Sequence, residues 1–341
     1  MTSSRALRFG LGGVLALALL FFFFRGVQWS NLGAALRTAD PAYLAGSVFA
    51  TLLTYAFRSW RWGYLLAPLA RVPFDRLFRV TVIGFMSGLL VPRAGEVLRP
   101  YLVARRHGIR TSGAFASIIL ERLVDLIAVL VLFGFYLYVL RLPEAQTRGP
   151  LLGFLKAGGA GAGALAFVIL AVLVVFHLHA ERALTAAGRL FGWLPDRLAR
   201  PLGQALRSFG EGLSVLKAGG GHLAAILAQS FLVWLAIALS IDWTNRAFAL
   251  DLPFHSAFLI IAFLTVGVAV PTPGAVGGFH GMYLLALTKA YGVDKDTAAA
   301  AGIKAHALMN LPILVLGLVF LRSEGLTLGK VAEMTEKKEE K

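Results

Sequence analysis

The chain has 341 residues, of which 58% are hydrophobic and 15% charged, and its mean hydropathy is +0.74. A soluble globular domain is about 45–50% apolar and about 25% charged, so this composition excludes a soluble enzyme, a disordered chain and a fibrous repeat. It indicates a polytopic membrane protein. The formal net charge is +15 and cysteine is absent, which excludes disulfides, thiolate catalysis and cysteine-bound metals.

Six apolar segments are long enough to cross about 30 Å of hydrocarbon at about 1.5 Å per residue. In chain order they cover 7–24, 41–57, 113–140, 152–178, 221–245 and 297–321. The first is interpreted as an uncleaved helix, because it ends in four phenylalanines and Arg25 rather than at a small-residue cleavage site. Two shorter apolar runs, 80–91 and 256–271, end at Pro and Gly and are followed by less apolar stretches at 97–104 and 277–288.

The basic residues predict the orientation, because cytoplasmic loops are rich in Lys and Arg and face anionic lipid. That explanation of the basic excess is preferred to a nucleic-acid surface, so no nucleic-acid partner is expected. With a cytoplasmic N-terminus and both broken elements re-entrant, 23 basic residues lie inside and 8 outside, while Arg122 and Lys304 fall within spans. The inside group includes Arg58 and Arg61, which follow the second span. Both termini are therefore expected in the cytoplasm.

The whole of 1–329 is interpreted as one transmembrane domain, with repeat halves at about 7–140 and 152–321. The loop 179–220 carries basic residues among Leu, Ala and Phe, a pattern that suits amphipathic helices at the inner interface or a solvated connector. The segment 330–341, with four Lys and four Glu, is expected to be a charged and partly disordered tail.

An internal repeat relates the two broken elements. Residues 88–97 and 267–276 share five of ten positions at an offset of 179, including the pairs Pro92/Pro271 and Gly95/Gly274. The same offset carries neighbouring spans onto one another, and the predicted orientation makes the halves inverted copies. Matching broken helices in inverted repeats are typical of a transporter's binding site, because backbone groups freed by Pro and Gly cannot face lipid. The alternative is that Pro and Gly merely kink ordinary spanning helices.

The first break carries candidate anion ligands. Pro92 ends one half-helix and Gly95 allows a tight turn. Arg93 and Arg99 then lie close to free backbone N–H groups, which together suit a phosphate or carboxylate. Glu96 would pair with an arginine or bind a cationic group. The alternative is that these arginines snorkel to the cytoplasmic interface.

A second cluster lies inside an apolar span. Glu121 and Asp125 share a helix face, and Arg122 can pair with Asp125. Intramembrane charges mark either a substrate path or a buried ion network, and the network here would tie the span to Arg93 or Arg99. Lys304 coincides with Asp125 at the 179 offset, so it is expected to face the same cavity.

The second break contains Pro271, Pro273, Gly274 and Gly277, which cannot continue a regular helix, and is expected to open onto a cavity. His280 on the returning half-helix is either a proton or headgroup partner or a packing residue that hydrogen-bonds a neighbouring helix. The glycine-rich run resembles a phosphate-binding loop superficially but lacks the G-K-[ST] sequence, and no catalytic constellation or metal-ligand cluster stands out. No catalytic residue, metal or cofactor is therefore expected.

Three strings together resemble one family. GLLVPRAGEVLRPYLVARRHGI, ERLVD and PTPGAVGGFHGMYLLAL are similar to the lysylphosphatidylglycerol synthase transmembrane-region family, which is also described as flippase-like, over about 10–321. The matching positions are Pro92, Gly95, Glu96 and Arg99, then Glu121, Arg122 and Asp125, then Pro271, Pro273, Gly274 and Gly277. The chain departs from the expected pattern at Ser87-Gly88, where amides are expected, and at His280, where an acid is expected.

The resemblance implies an integral domain, in a prokaryotic cytoplasmic (inner) membrane, that moves a phospholipid or polyprenyl-phosphate-linked lipid between leaflets. No soluble aminoacyl-transferase domain accompanies it here, so synthase activity is not implied. The fold expected is all-α and polytopic, with about six spanning helices and two re-entrant elements in inverted repeats. A second copy of the chain or a lipid-synthesising enzyme is the candidate protein partner.

Together with the resemblance, which implies a lipid substrate, the residues predict a lipid translocase that binds an anionic headgroup in a central polar cavity. The predicted substrate-binding residues are Arg93, Glu96, Arg99, Glu121, Arg122, Asp125, His280 and Lys304. Three alternatives stay open: a secondary transporter of a small soluble anion, a membrane-embedded lipid or glycolipid transferase, and a non-transporting assembly partner.

Overall fold

The computed structural model describes residues 3–91, 94–140, 219–270 and 272–325, together with scattered positions between 153 and 185 and residue 329. Every regular element in these stretches is helical, as the sequence predicts. The helices are α1 (Ser3–Phe24), α2 (Trp29–Thr38), α3 (Pro41–Leu66), α4 (Phe74–Leu90), α5 (Ala94–His107), α6 (Thr111–Tyr138), α7 (Gly220–Ala247), α8 (Ser256–Ala269), α9 (Gly278–Leu285) and α10 (Lys295–Ser323). A short 3-10 turn (Pro273–Ala275) precedes α9, and a π turn (Ala286–Ala290) follows it.

Helices occupy five of the six predicted spans, and both broken elements are helical pairs. By length and apolarity α7 and α10 can each cross a membrane, and α1 with α2 adds a third candidate if that pair, bent by 90°, forms one span. In α6, the charged residues Glu121, Arg122 and Asp125 interrupt the apolar sequence of a helix that is otherwise long enough to span. The predicted span 152–178, the loop 179–220 and the tail 330–341 lie largely or wholly outside the described residues.

Helices α3 and α7 pack against each other along most of their length and run antiparallel. Near one end Ser47 Oγ lies 2.9 Å from Thr244 Oγ1, and towards the other end Arg61 Nη1 donates to Ser230 Oγ at 2.7 Å. Gly46 permits the crossing, because a Cβ there would collide with the ring of Trp243. Small and hydroxyl side chains at a helix crossing let backbones approach closely.

Each broken element folds into a hairpin whose arms touch through two glycines. In the first hairpin, α4–α5, a Cβ on Gly95 would overlap the carbonyl oxygen of Gly84. In the second, α8–α9, Gly267 and Gly278 stand in the same relation. The glycines are 11 residues apart in both hairpins, so the same backbone contact is built twice.

Within each hairpin, the two ends furthest from the tip lie close together. Glu324, after α10, pairs with Arg76 near the start of α4 at 3.2 Å and with Arg106 near the end of α5. In the second hairpin, Tyr291 Oη donates to the carbonyl oxygen of Ser256 at 3.5 Å. In each hairpin, the chain therefore enters the first helix and leaves the second on the same side of the bundle.

The helices that follow the two hairpins, α6 and α10, contact both halves of the chain, because each packs on the hairpin of the other half as well as on its own. Helix α10 packs on α4 of the first hairpin, and α6 packs on α8 of the second. The elbow between α1 and α2 lies against the start of α10, where Asp296 accepts hydrogen bonds from the backbone N–H of Gln28 and the side chain of Asn31. This arrangement brings α3, α7 and the tips of both hairpins around a common interior.

Candidate functional site

A cavity of about 500 Å³ lies where the two halves meet. Its wall comes from α3, both hairpins, α6, α7 and α10. Both breaks reach it, through Gly88 and Gly95 at the first and Thr272, Gly274 and Ala275 at the second. Three arginines also line it, namely Arg58 on α3, Arg99 on α5 and Arg122 on α6.

Behind the wall lies a cluster of charged side chains with two buried carboxylates. The first of them, Glu121, is fully buried. Arg99 donates to both of its carboxylate oxygens, at 3.0 and 3.1 Å, in a bidentate pair. Arg122 donates to the same carboxylate, and Arg61 Nη2 lies 3.7 Å from it. A bidentate guanidinium pair fixes both the position and the orientation of the arginine, so Glu121 sets where Arg99 meets the cavity.

Asp125, one turn further along α6, is the second carboxylate of the cluster. It accepts from Arg61 at 2.6 Å, from Arg58 at 3.2 Å and from Trp234 Nε1 at 3.2 Å, and Arg122 lies 3.6 Å away. Arg61 is fully buried and Arg58 nearly so. The two carboxylates thus bridge α3, α5, α6 and α7.

The cluster carries more positive than negative charge. Four guanidinium groups (Arg58, Arg61, Arg99 and Arg122) face two carboxylates, which leaves two formal positive charges. The Nε atoms of Arg61, Arg99 and Arg122 are buried and have no hydrogen-bond partner. Buried excess charge is costly unless a counter-ion joins it, so the site is suited to an anion.

An aromatic side chain supports the three arginines of the wall. The ring centroid of Phe85 on α4 lies 5.1 Å from the guanidinium carbon of Arg58, 5.3 Å from that of Arg99 and 5.9 Å from that of Arg122. Trp62 lies 4.4 Å below Arg99 in the same way. Cation–π contacts of this kind stabilise desolvated guanidinium groups without consuming their hydrogen-bond donors.

The second break contributes backbone and polar groups but no arginine within the described residues. Gly274 and Ala275 both have positive φ, 61° and 56°, and for alanine this is a strained conformation that persists where the surroundings impose it. His306 Nε2 donates to the carbonyl oxygen of Gly274 at 2.7 Å. His280 accepts from the N–H of Gly277 at 3.4 Å, and its ring centroid lies 4.6 Å from that of His306.

The predicted site residues divide into five groups by their position relative to the cavity. Those on the wall of the cavity are Glu96, Arg99, Arg122, Gly95 and Gly274, while Glu121 and Asp125 lie behind the wall in the ion network. Those that do not line it are His280, which packs with His306, and Lys304, which forms no ion pair within the described residues. Pro273 and Gly277 belong to the second break beside it, and Pro92, Arg93 and Pro271 lie outside the described residues.

Sequence reasoning missed Arg58 and Arg61, which it placed among the cytoplasmic basic residues. In the structure α3 continues to Leu66, so both arginines lie inside a helix and are buried. The available signal was their i, i+3 spacing on one helix face, followed by Trp62, Leu65 and Leu66, a stretch too apolar for a loop. Phe85 gave no comparable signal, because a lone phenylalanine in an apolar helix has no distinguishing neighbours.

The fold and the site define an integral membrane protein with an arginine-lined cavity between two helical hairpins. The chain belongs to the lysylphosphatidylglycerol synthase TM region family, whose profile matches residues 9–317. The family membership inferred from the three strings is thereby confirmed.

A curated relative is similar at lower identity. The chain is 24% identical over 351 residues to a protein of Haloferax volcanii named glycosyltransferase AglD. The alignment covers 94% of this chain and 54% of that protein, so the chain spans about half the length of the curated relative it matches. A large part of that relative therefore lies outside the similarity.

Proposed function

We propose that the protein binds the phosphate of a membrane lipid's headgroup in the cavity and carries it between the two leaflets. The observation that carries the proposal is the convergence of Arg58, Arg99 and Arg122 on one cavity between the halves, backed by a cluster with excess positive charge. Guanidinium groups recognise phosphate oxygens through paired N–H donors. The acyl chains would remain in the surrounding lipid.

The repeat supports a mechanism in which the two halves move around the site. Helices α3 and α7 begin 179 residues apart, at Pro41 and Gly220, and α4 and α8 end 179 residues apart, at Leu90 and Ala269. Because α3 and α7 run antiparallel, the halves are proposed to be inverted copies. Inverted repeats with broken helices near the midplane permit alternating access from the two sides.

In this arrangement each hairpin is a re-entrant element. Its two outer ends lie together and its tip reaches the cavity, which satisfies the rule that irregular backbone at membrane depth must be buried or line a wet space. About six helices would span the membrane, and the basic residues favour a cytoplasmic position for both termini in a prokaryotic inner membrane.

A leaflet-exchange assay tests the proposal. The purified protein is reconstituted into liposomes with acyl-labelled lipids of several headgroup classes, and dithionite quenching of the outer leaflet reports exchange. We expect faster exchange of a phosphate-bearing lipid, reduced at least about 10-fold by Arg122→Gln, since a hydrogen bond to a charged group contributes about 1.5–3 kcal/mol. Arg122 is chosen because its side chain is 40% exposed and because Glu121 and Asp125 keep other arginine partners without it.

Arg246→Gln is the matched control. Its side chain is 43% exposed and pairs with Asp242 at the far end of α7, away from the cavity lining. Equal losses in both variants would point to a general charge effect and contradict the proposal. Uptake of free phosphate into the same liposomes, with no lipid exchanged, would favour the soluble-anion transporter instead.

A second candidate, a lipid-linked glycosyl or headgroup transferase, is favoured by the similarity to glycosyltransferase AglD. It predicts product formation by the purified protein in detergent, where there are no leaflets. The alignment leaves nearly half of that relative uncovered, so the named activity need not belong to the shared part. Exchange in liposomes without product in detergent would decide against this candidate.

A further inference from the structure

The cavity has a second set of polar groups besides its arginines. They are hydroxyl and amide side chains, contributed by both halves, namely Thr51, Thr54, Ser240, Thr272 and Asn310. On α3 the spacing of Thr51, Thr54 and Arg58 places them on one helix face. At about 1.5 Å per residue, Thr51 and Arg58 lie roughly 10 Å apart along the axis, a span that fits a phosphate with an attached polar group.

These neutral groups have already used much of their donor capacity. Thr54 donates its hydroxyl proton to the carbonyl oxygen of Ala50, and Thr272 donates its own to that of Val276. Asn310 donates one amide N–H to the carbonyl oxygen of His306. The hydroxyl oxygens keep free lone pairs, so this part of the wall is rich in acceptors and suits a ligand that brings donors.

Charge decides which donors are suitable. An ammonium group would need a carboxylate, but Glu121 and Asp125 are engaged by arginines and do not line the cavity. Within the described part of the wall the one carboxylate is Glu96, and it interacts electrostatically with Arg122, so its charge is also opposed by an arginine. The excess positive charge of the cluster repels an ammonium group on the ligand, and such repulsion excludes an unsuitable ligand. Neutral hydroxyl donors meet no such penalty.

Resting on the proposed function, we infer that the lipid headgroup carries neutral hydroxyl groups beside its phosphate, as in a polyol or sugar phosphate, and no amine. Arg58, Arg99 and Arg122 bind the phosphate. Thr54, Thr272 and Asn310 accept hydrogen bonds from the hydroxyls. The name of the family refers to a lysyl lipid, so this assignment separates the chain from an aminoacylated substrate.

The test compares headgroups in the liposome assay. Phosphatidylinositol carries phosphate and hydroxyls, phosphatidylethanolamine carries phosphate and an ammonium group, and phosphatidic acid carries phosphate alone. We expect phosphatidylinositol to exchange fastest. Equal or faster exchange of phosphatidylethanolamine would overturn the inference while leaving lipid translocation intact.

Variants assign the preference to the acceptor groups. In Thr54→Val the ratio of phosphatidylinositol to phosphatidic acid exchange should fall about 2- to 10-fold, the effect of one lost hydrogen bond. Asn310→Leu should lower the same ratio. Thr265→Val is the matched control, because Thr265 also donates to a carbonyl oxygen four residues earlier, that of Ile261, but does not line the cavity. An unchanged ratio in both cavity variants would contradict the inference.

A binding measurement separates this inference from transport. Titration calorimetry of the purified protein in detergent measures its affinity for glycerophosphoinositol and for glycerophosphoethanolamine. Several-fold tighter binding of the inositol compound supports the inference even if no lipid exchanges, in which case only the transport proposal fails. Equal affinities overturn the inference whatever the exchange assay gives.

Discussion

At the scale of single residues, Glu121 and Asp125 do more for the geometry of the site than for its chemistry. Both are buried, and between them they contact all four arginines of the cluster. Taking a carboxylate out of water costs several kcal/mol, which is offset when arginine pairs and further hydrogen bonds surround it. The sequence left two interpretations open, a substrate site and an ion network. The contacts place Glu121 and Asp125 in an ion network, and substrate binding by the cluster stays a prediction.

Glu121→Gln should destabilise the protein strongly. The substitution leaves Arg99 without its bidentate carboxylate and raises the buried excess of positive charge, and removal of one partner of a buried pair costs about 3–5 kcal/mol. The expected result is a lower midpoint of thermal unfolding in detergent micelles, followed by circular dichroism. Glu96→Gln, which neutralises an exposed carboxylate, should leave the midpoint nearly unchanged. Equal midpoints for the two variants would contradict a structural role for Glu121.

The sequence predicted four of the six charged residues of this cluster. Glu121, Arg122 and Asp125 stood out because charges interrupt an apolar run, and Arg99 because it follows a break. Arg58 and Arg61 did not, since an arginine near the end of an apolar segment is normally a snorkelling residue. What distinguishes them is the length of α3, which continues to Leu66, and the apolar residues that follow them were the one local sign of it.

At the scale of elements, the hairpins depend on close backbone contact. Gly84 leaves room for the stem of Arg99, because a Cβ there would overlap the Cγ of that side chain, and Gly95 lies against the carbonyl group of Gly84. The first hairpin is thus closed by the same contacts that direct Arg99 towards Glu121. Pro and Gly marked the breaks in the sequence, but the partner of each glycine across the hairpin could not be predicted without the turn geometry.

Gly95→Ala should therefore impair stability and function together. The added methyl group must push α5 away from α4, and overpacking of this kind costs about 1–3 kcal/mol. Arg99 moves with α5, so lipid exchange should fall along with the unfolding midpoint. Gly134→Ala in α6 is the control, because a Cβ there meets no atom within 4 Å, and it should be neutral or stabilising by up to about 1 kcal/mol. A normal midpoint and normal exchange in Gly95→Ala would refute the close contact.

At the scale of the whole molecule, the two halves share a framework but differ in charge. Exchanging the halves at the 179 offset carries the Thr51–Ser240 pair, 3.1 Å apart, onto the Ser230–Arg61 pair, 2.7 Å apart. The same offset replaces Glu121 and Arg122 by alanines at 300 and 301. The first half carries the arginines of the cavity wall and the second a strained turn, while both halves supply hydroxyl groups. The repeat was readable from Pro and Gly alone, whereas this division of roles required the contacts.

Inverted topology makes a prediction about sidedness, which the cysteine-free sequence allows to be tested directly. Arg71 follows α3 and Asp251 follows α7, both are exposed, and they occupy nearly equivalent positions in the two halves. If α3 and α7 both cross the membrane antiparallel, Arg71→Cys and Asp251→Cys must face opposite sides. A membrane-impermeant maleimide applied to right-side-out vesicles should label Asp251→Cys, and Arg71→Cys should react only after permeabilisation, because the basic residues predict a cytoplasmic position for it. Labelling of both cysteines from one side would rule out inverted halves, since antiparallel spanning helices cannot end on the same face. Labelling with the two sides exchanged would keep the inverted repeat and reverse only the orientation.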